Sequence, residues 1–182
     1  MARTILAETP PVALSEAQDS DVVKVVGAVR EADRALTSPY GKTRCVHYHM
    51  QIRGASKSEK DKIRIRYRES VDFTLDVDGI DVAVRMDDAV VVTVDDIDET
   101  LSGHEDRDVM LLLLEHGCDH TARVELTEGV IALGERVAVV GRVRRQAVRD
   151  GAGGSYREPP QRFTLEAPAE HPLVVSDDPD TF

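Results

Sequence analysis

The sequence predicts a mainly β chain of the α+β class: a small antiparallel β-barrel or strongly twisted sheet, OB-like, with one or two short inserted helices. Three observations predict it. Residues 71–86 alternate apolar and polar side chains about an Asp78-Gly79 dipeptide. Short runs with the same period of two recur along the chain, separated by turn-forming residues. Only residues 109–116, rich in leucine, break that rhythm and read as a helix.

In the first of these, Val71, Phe73, Leu75 and Val77 precede the dipeptide, and Ile80, Val82, Val84 and Met86 follow it. A two-residue type I′ turn needs φ > 0 at both central positions, which Asp-Gly accepts. Folding there pairs Val77 with Ile80, Leu75 with Val82, Phe73 with Val84 and Val71 with Met86, all on one face. A slip of one residue would turn that face to water, so the register is specified.

Residues 1–20 read as a flexible tail, 21–176 as a single β domain and 177–182 as an acidic tail. An apolar run from residue 22 to 30 is the first strand, with Gly27 a bulge or close-approach point. Residues 31–36 suit a short helical turn, and Thr37-Ser38-Pro39-Tyr40-Gly41 a turn. Strands follow over residues 44–53 and 62–69, flanking a polar loop at 54–61. After the hairpin comes a β-rich run at 89–94, then an acidic loop at 95–108. Asp106 and Asp108 suit a helix start and Gly117 a helix end. Residues 122–126 read as a short strand, followed by a helical turn or connector through 133. Strands at 136–148, 162–166 and 173–175 complete the set, with a Gly- and Pro-rich loop at 151–160.

Of the 182 residues, 41% are hydrophobic but only 4% aromatic, so the core must be built from Val, Leu, Ile and Ala. The net charge of −11 disfavours a general nucleic-acid binder, which needs a basic surface to displace counterions, and adsorption to an anionic membrane. Arg outnumbers Lys and Asp is abundant, as in a high-GC, salt-adapted prokaryote. Two cysteines make no disulfide framework, and no apolar run reaches the roughly 20 residues that span a bilayer. The chain as given reads as cytoplasmic, or membrane-associated if a longer protein carries transmembrane helices.

Cys45, His47 and His49 alternate on a strand and share one face if that strand is regular. Cys118 and His120 could approach to complete a soft-metal site, or either thiol could pair with a histidine as nucleophile. The spacing is that of neither a structural zinc site nor a cysteine-enzyme signature, so no metal, cofactor or catalytic residue is expected. Asp76, Asp78 and Gly79 begin like a calcium loop, but Ile80 and Asp87 stand where further ligands belong, and turn chemistry explains them better. Asp87, Asp88, Asp95, Asp96, Asp98 and Glu99 form an acidic rim. Arg64, Arg66 and Arg68, preceded by Lys57, Lys60 and Lys62, make the one basic patch, suited to phosphate, lipid head groups or the acidic surface of a second copy. Gly151-Ala-Gly-Gly lacks the strand-to-helix context of a phosphate-binding loop.

Four segments in order resemble the GIDE domain, also called the BAM (beside-a-membrane) domain. Ser38 and Pro39 lead into a strand with Cys45 and Tyr48. Phe73 through Gly79 to Val84 is similar to its Phe-x-Leu hairpin. Glu128 to Gly134, then a Val-rich strand to Gly141, is similar to its acid-Leu-Gly-strand-Gly pattern, and Pro172 to Ser176 to its closing strand. In eukaryotic relatives the domain lies between two transmembrane helices, and a RING supplies ubiquitin-ligase activity. This chain has neither. The resemblance therefore implies a non-catalytic interaction or sensing module that binds a protein or ligand close to a membrane. Its partner is unidentified, nucleic acid is disfavoured and self-association is compatible with it.

Overall fold

The Asp78-Gly79 turn forms as its chemistry dictates. In the computed structural model, which describes residues 1–32, 34–56, 63–147 and 161–182, Asp78 and Gly79 have φ of 52° and 84°. The Asp76 carboxylate accepts the Gly79 amide at 2.8 Å. Strands β5 (Phe73–Val77) and β6 (Ile80–Val84) pair in the expected register, Phe73 with Val84 and Leu75 with Val82. The ladder stops short of Val71 and Met86; there Asp72 instead accepts the Met86 amide and pairs with Arg85.

The described residues divide into two compact units, one made of Met1–Arg34, Val71–Val92 and Leu133–Phe182, the other of Ala35–Ser70 and Thr93–Ala132. In the first, β1 (Val22–Glu31), β5, β6, β11 (Gln161–Glu166) and β10 (Arg136–Ala147) pair in that order, and β10 pairs back with β1 to close a five-stranded barrel. Its pairings are antiparallel except β6 with β11. The barrel is OB-like, as expected. Register turns Val25, Val139, Leu75, Val82, Leu165 and Val143 inward, and each is fully buried. The opposite face of β10 is covered too, because Ala138 and Val140 pack with Leu6 and Val174. β12 (Val174–Ser176) and β7 (Val90–Val92) extend the sheet there.

Both tails differ from the sequence expectation. Helix α1 (Ala2–Glu8) buries Leu6 completely, and a 3-10 turn at Pro179–Thr181 sets Phe182 beneath the Arg136 guanidinium. Lys24, only 5% exposed, donates from Nζ to the carbonyls of Leu6 and Thr181, each at 3.0 Å. One buried ammonium thus holds both ends, and the two carbonyls satisfy a charge that would otherwise be costly to bury.

In the second unit, β3 (Arg44–Gly54) is flanked by β9 (Arg123–Ala132) on one side and by β2 (Leu36–Thr37) and β4 (Arg64–Ser70) on the other, and β8 (Ile97–Ser102) pairs with β9. Helix α2 (Arg107–Glu115) covers one face: Val109 and Leu113 pack on Met50, Ile52, Ile65, Val124 and Leu126. Asp106 caps it, accepting the amides of Asp108 and Val109.

Three further expectations give way. Residues 95–108 are not all loop, because β8 forms there from an acidic sequence whose backbone pairs with β9. Residues 123–132 run as one strand, without a helical connector, since β3 pairs along nearly their whole length. Of residues 31–36, expected as a helical turn, Glu31 closes β1 and Leu36 opens β2. The loop at 151–160 and Lys57, Lys60 and Lys62 lie outside the described residues.

Candidate functional site

Strand β3 does not present Cys45, His47 and His49 together. Its register with β9 shifts between Cys45 and His47, where an extra residue breaks the period of two. Beyond the shift, His47 and His49 share a face, with ring centroids 6.4 Å apart. Cys45 instead pairs with Ala132, on the same face of β9 as Glu128, while His47 pairs with the adjacent Ile131. Glu128 lies opposite Met50 and Glu69 opposite Tyr48, so these belong to the other face. Burial first, then those carboxylates, push the Cys45 thiol up to about 11, which leaves it protonated and unreactive at neutral pH. Cys118 is half-buried against the α2 core and donates to the His116 carbonyl. Among the described residues no three His, Cys, Asp or Glu side chains gather in a way that could hold a metal ion.

The two histidines are held by neighbours instead. His49 bonds through Nε2 to Asp95 and through Nδ1 to the Thr93 hydroxyl, both at 2.9 Å. Its ring lies over Gly129, where a Cβ would stand 2.5 Å from its Cε1. His47 Nδ1 pairs with the Ser70 hydroxyl at 2.8 Å. Burial, helped by nearby Arg68 and His49, lowers the His47 pKa from 6.5 to about 3. The folded chain therefore keeps this ring neutral while the unfolded chain protonates it below about 6.5. Stability held by the neutral ring is complete above that pH and falls as the pH drops toward 3, by about 1.4 kcal/mol per pH unit for one proton taken up on unfolding. Urea melts between about pH 7 and 5 should show this slope, and His47→Gln should flatten it; equal slopes would mean the folded ring protonates freely.

The resemblance residues are structural. Ser38, Pro39, Tyr40 and Gly41 form a turn around the buried Glu128 carboxylate, which accepts from Ser38 Oγ and from the amides of Tyr40 and Gly41 at 2.9, 2.8 and 2.7 Å. The Ser38 hydroxyl in turn accepts the Thr43 amide. The Tyr40 hydroxyl donates to Glu99 and Asp106, and burial with those carboxylates raises its pKa to about 12. Tyr48 bonds to Glu69. Phe73 lines the barrel, Gly134 takes φ of 85° in the β9–β10 turn, and Gly141 admits the Glu166 carbonyl. Ser176 is buried and its hydroxyl accepts the Asp178 amide.

Arg64, Arg66 and Arg68 stand exposed on β4, opposite Arg53, Gln51 and His49. The acidic rim is spread rather than gathered: Asp95 holds His49, Asp96 accepts the Val130 amide, and Asp98 stays exposed on β8.

Sequence reasoning missed a concavity of about 600 Å³ on the outer wall of the barrel. It is lined by β5, β6, β10 and β11, with Thr74, Arg85, Arg144, Gln146, Arg162 and Thr164 among its residues. Arg144 pairs with Glu166 at 2.8 Å and Arg85 with Asp72 at 2.7 Å. The hydrogen bond from Arg144 holds the Glu166 carboxyl below its ordinary range. Arg162 has no ion-pair partner among the described residues. The outward positions of four strands meet here only once the barrel closes. The size suits a ligand site, and the outer face beside the second and third strands is where OB barrels commonly bind.

No protein-family model, curated protein or solved structure matches this chain.

Proposed function

We propose that this chain is a non-catalytic interaction module whose barrel groove takes a short peptide segment of mixed charge from a protein partner. The observation that carries this reading is the groove itself. It offers Arg85, Arg144 and Arg162 beside Asp72, Asp81 and Glu166, with threonines between, and among its described lining residues there is no Ser, Cys or His. Paired side chains of both signs along strands suit exchange of internal ion pairs for those of an extended partner. The buried, protonated Cys45 and the fully engaged His49 support binding over catalysis. Placement near a membrane is the part that the GIDE/BAM resemblance of four motifs supports, with the partner supplying the attachment.

Selection of displayed peptides against the whole chain tests this reading. Enriched peptides should carry both acidic and basic residues and lose at least tenfold in affinity against Arg162→Glu and Arg85→Glu. Enrichment of peptides indifferent to both substitutions, or none at all, would refute it.

A further inference from the structure

The outer edges of the second sheet carry opposite charges. β4 forms one edge and exposes Arg64, Arg66 and Arg68; β8 forms the other and exposes Asp98, Glu99 and Thr100. Among the described residues neither strand pairs on its outer side, and none of the three arginines has an ion-pair partner. Arg64 lies directly across from Arg53, whose own ion pair is with Glu125 at 3.2 Å.

We propose that these edges meet between copies, β4 of one molecule adding to β8 of a second as a further antiparallel strand. The geometry allows it. Pairings β4–β3, β3–β9 and β9–β8 are all antiparallel, so β8 runs opposite to β4. A second copy shifted along the sheet keeps that sense and leaves the helix-covered faces on one side. Setting Arg68 opposite Asp98 then sets Arg66 opposite Thr100 on the polar face and Ile65 opposite Leu101 on the helix-covered face, with Tyr67 against Glu99 and Glu69 against Ile97. Unpaired strand edges are templates for such addition. A second copy is favoured over a polyanion because the chain carries −11 overall, which repels phosphate, while its own β8 edge supplies matching acid. The contact joins two different surfaces, so it propagates instead of closing into a two-fold dimer.

Sedimentation velocity over a concentration series, at low and high salt, tests the proposal. The full chain should associate as concentration rises, and salt should weaken that association. R66E/R68E makes both edges acidic, and Asp98→Arg sets a like charge against Arg68, so each should sediment as a monomer. An equimolar mixture of the two should associate again. Circular dichroism checks that each variant keeps its β signature; if R66E/R68E does not, R66Q/R68Q replaces it and should weaken association at least tenfold. A wild type that stays monomeric throughout would overturn the proposal, showing that the charges only block pairing. So would association unchanged in every variant. A monomeric wild type that binds a single-stranded oligonucleotide through these arginines would reassign them to a polyanion.

Discussion

Glu128→Ala should destabilise the chain more than any single change at a surface charge, by about 3 kcal/mol or more. Glu128 is 1% exposed, and its carboxylate accepts three hydrogen bonds from the turn of Ser38 to Gly41. Removing it strands one hydroxyl and two amides where water has poor access, and each unsatisfied donor costs about 1–3 kcal/mol. The loss spreads along the turn, since Ser38 Oγ also accepts the Thr43 amide. Glu128→Gln is the informative control: its amide oxygen still accepts, but its NH2 faces donors, so an intermediate loss is expected. Urea melts at neutral pH measure both. A Glu128→Ala loss below about 1 kcal/mol would show that the turn holds itself.

Gly27→Val should cost about 3 kcal/mol or more, near the upper end of overpacking effects. A Cβ at Gly27 would stand 2.3 Å from the Asp76 carbonyl oxygen and 2.9 Å from Leu75 Cγ. The first of these atoms is backbone in the neighbouring strand, so relief requires β1 and β5 to separate where they help close the barrel. Gly27→Ala meets the same carbonyl and should also destabilise, though less. Gly141→Ala, with its nearest atoms at 3.0 Å, should be milder again. Thermal or urea unfolding ranks the three, and a tolerated Gly27→Val would mean that the strands part without cost.

How much was legible depends on how local the cause was. The hairpin is legible because Asp78-Gly79 and the alternation around it lie within one short stretch, and Gly27 reads as a bulge or close-approach point, of which the structure shows the second. Helix α1 was not legible: Leu6 is its only buried side chain, and the surface that buries it, Ala138, Val140 and Val174, comes from distant strands. β8 reads as loop because Asp98, Glu99 and Thr100 are exposed, and its backbone ladder to β9, with Ile97 and Leu101 packed on the α2 core, makes it a strand. The separation of Cys45 from His47 is not legible for a related reason. A bulge is a property of two strands that pair with unequal counts, so one strand's sequence does not display it.

The candidate sites divide in the same way. The arginine row on β4 was visible as an alternation, yet its counterpart on β8 was not, since being an edge is decided by which strands pair. The groove was invisible in the sequence, because Arg85, Arg144 and Arg162 are brought together only by β6, β10 and β11 lying side by side. By itself, then, the sequence determined the class of fold, the central hairpin and its register, because turn propensity and burial of alternate side chains act over a few residues. Only the tertiary structure decided barrel closure, the separation of Cys45 from the histidines, the clamp on both termini and the groove. Each of these depends on contacts between segments far apart in the chain, where pairing and packing override what any one segment prefers.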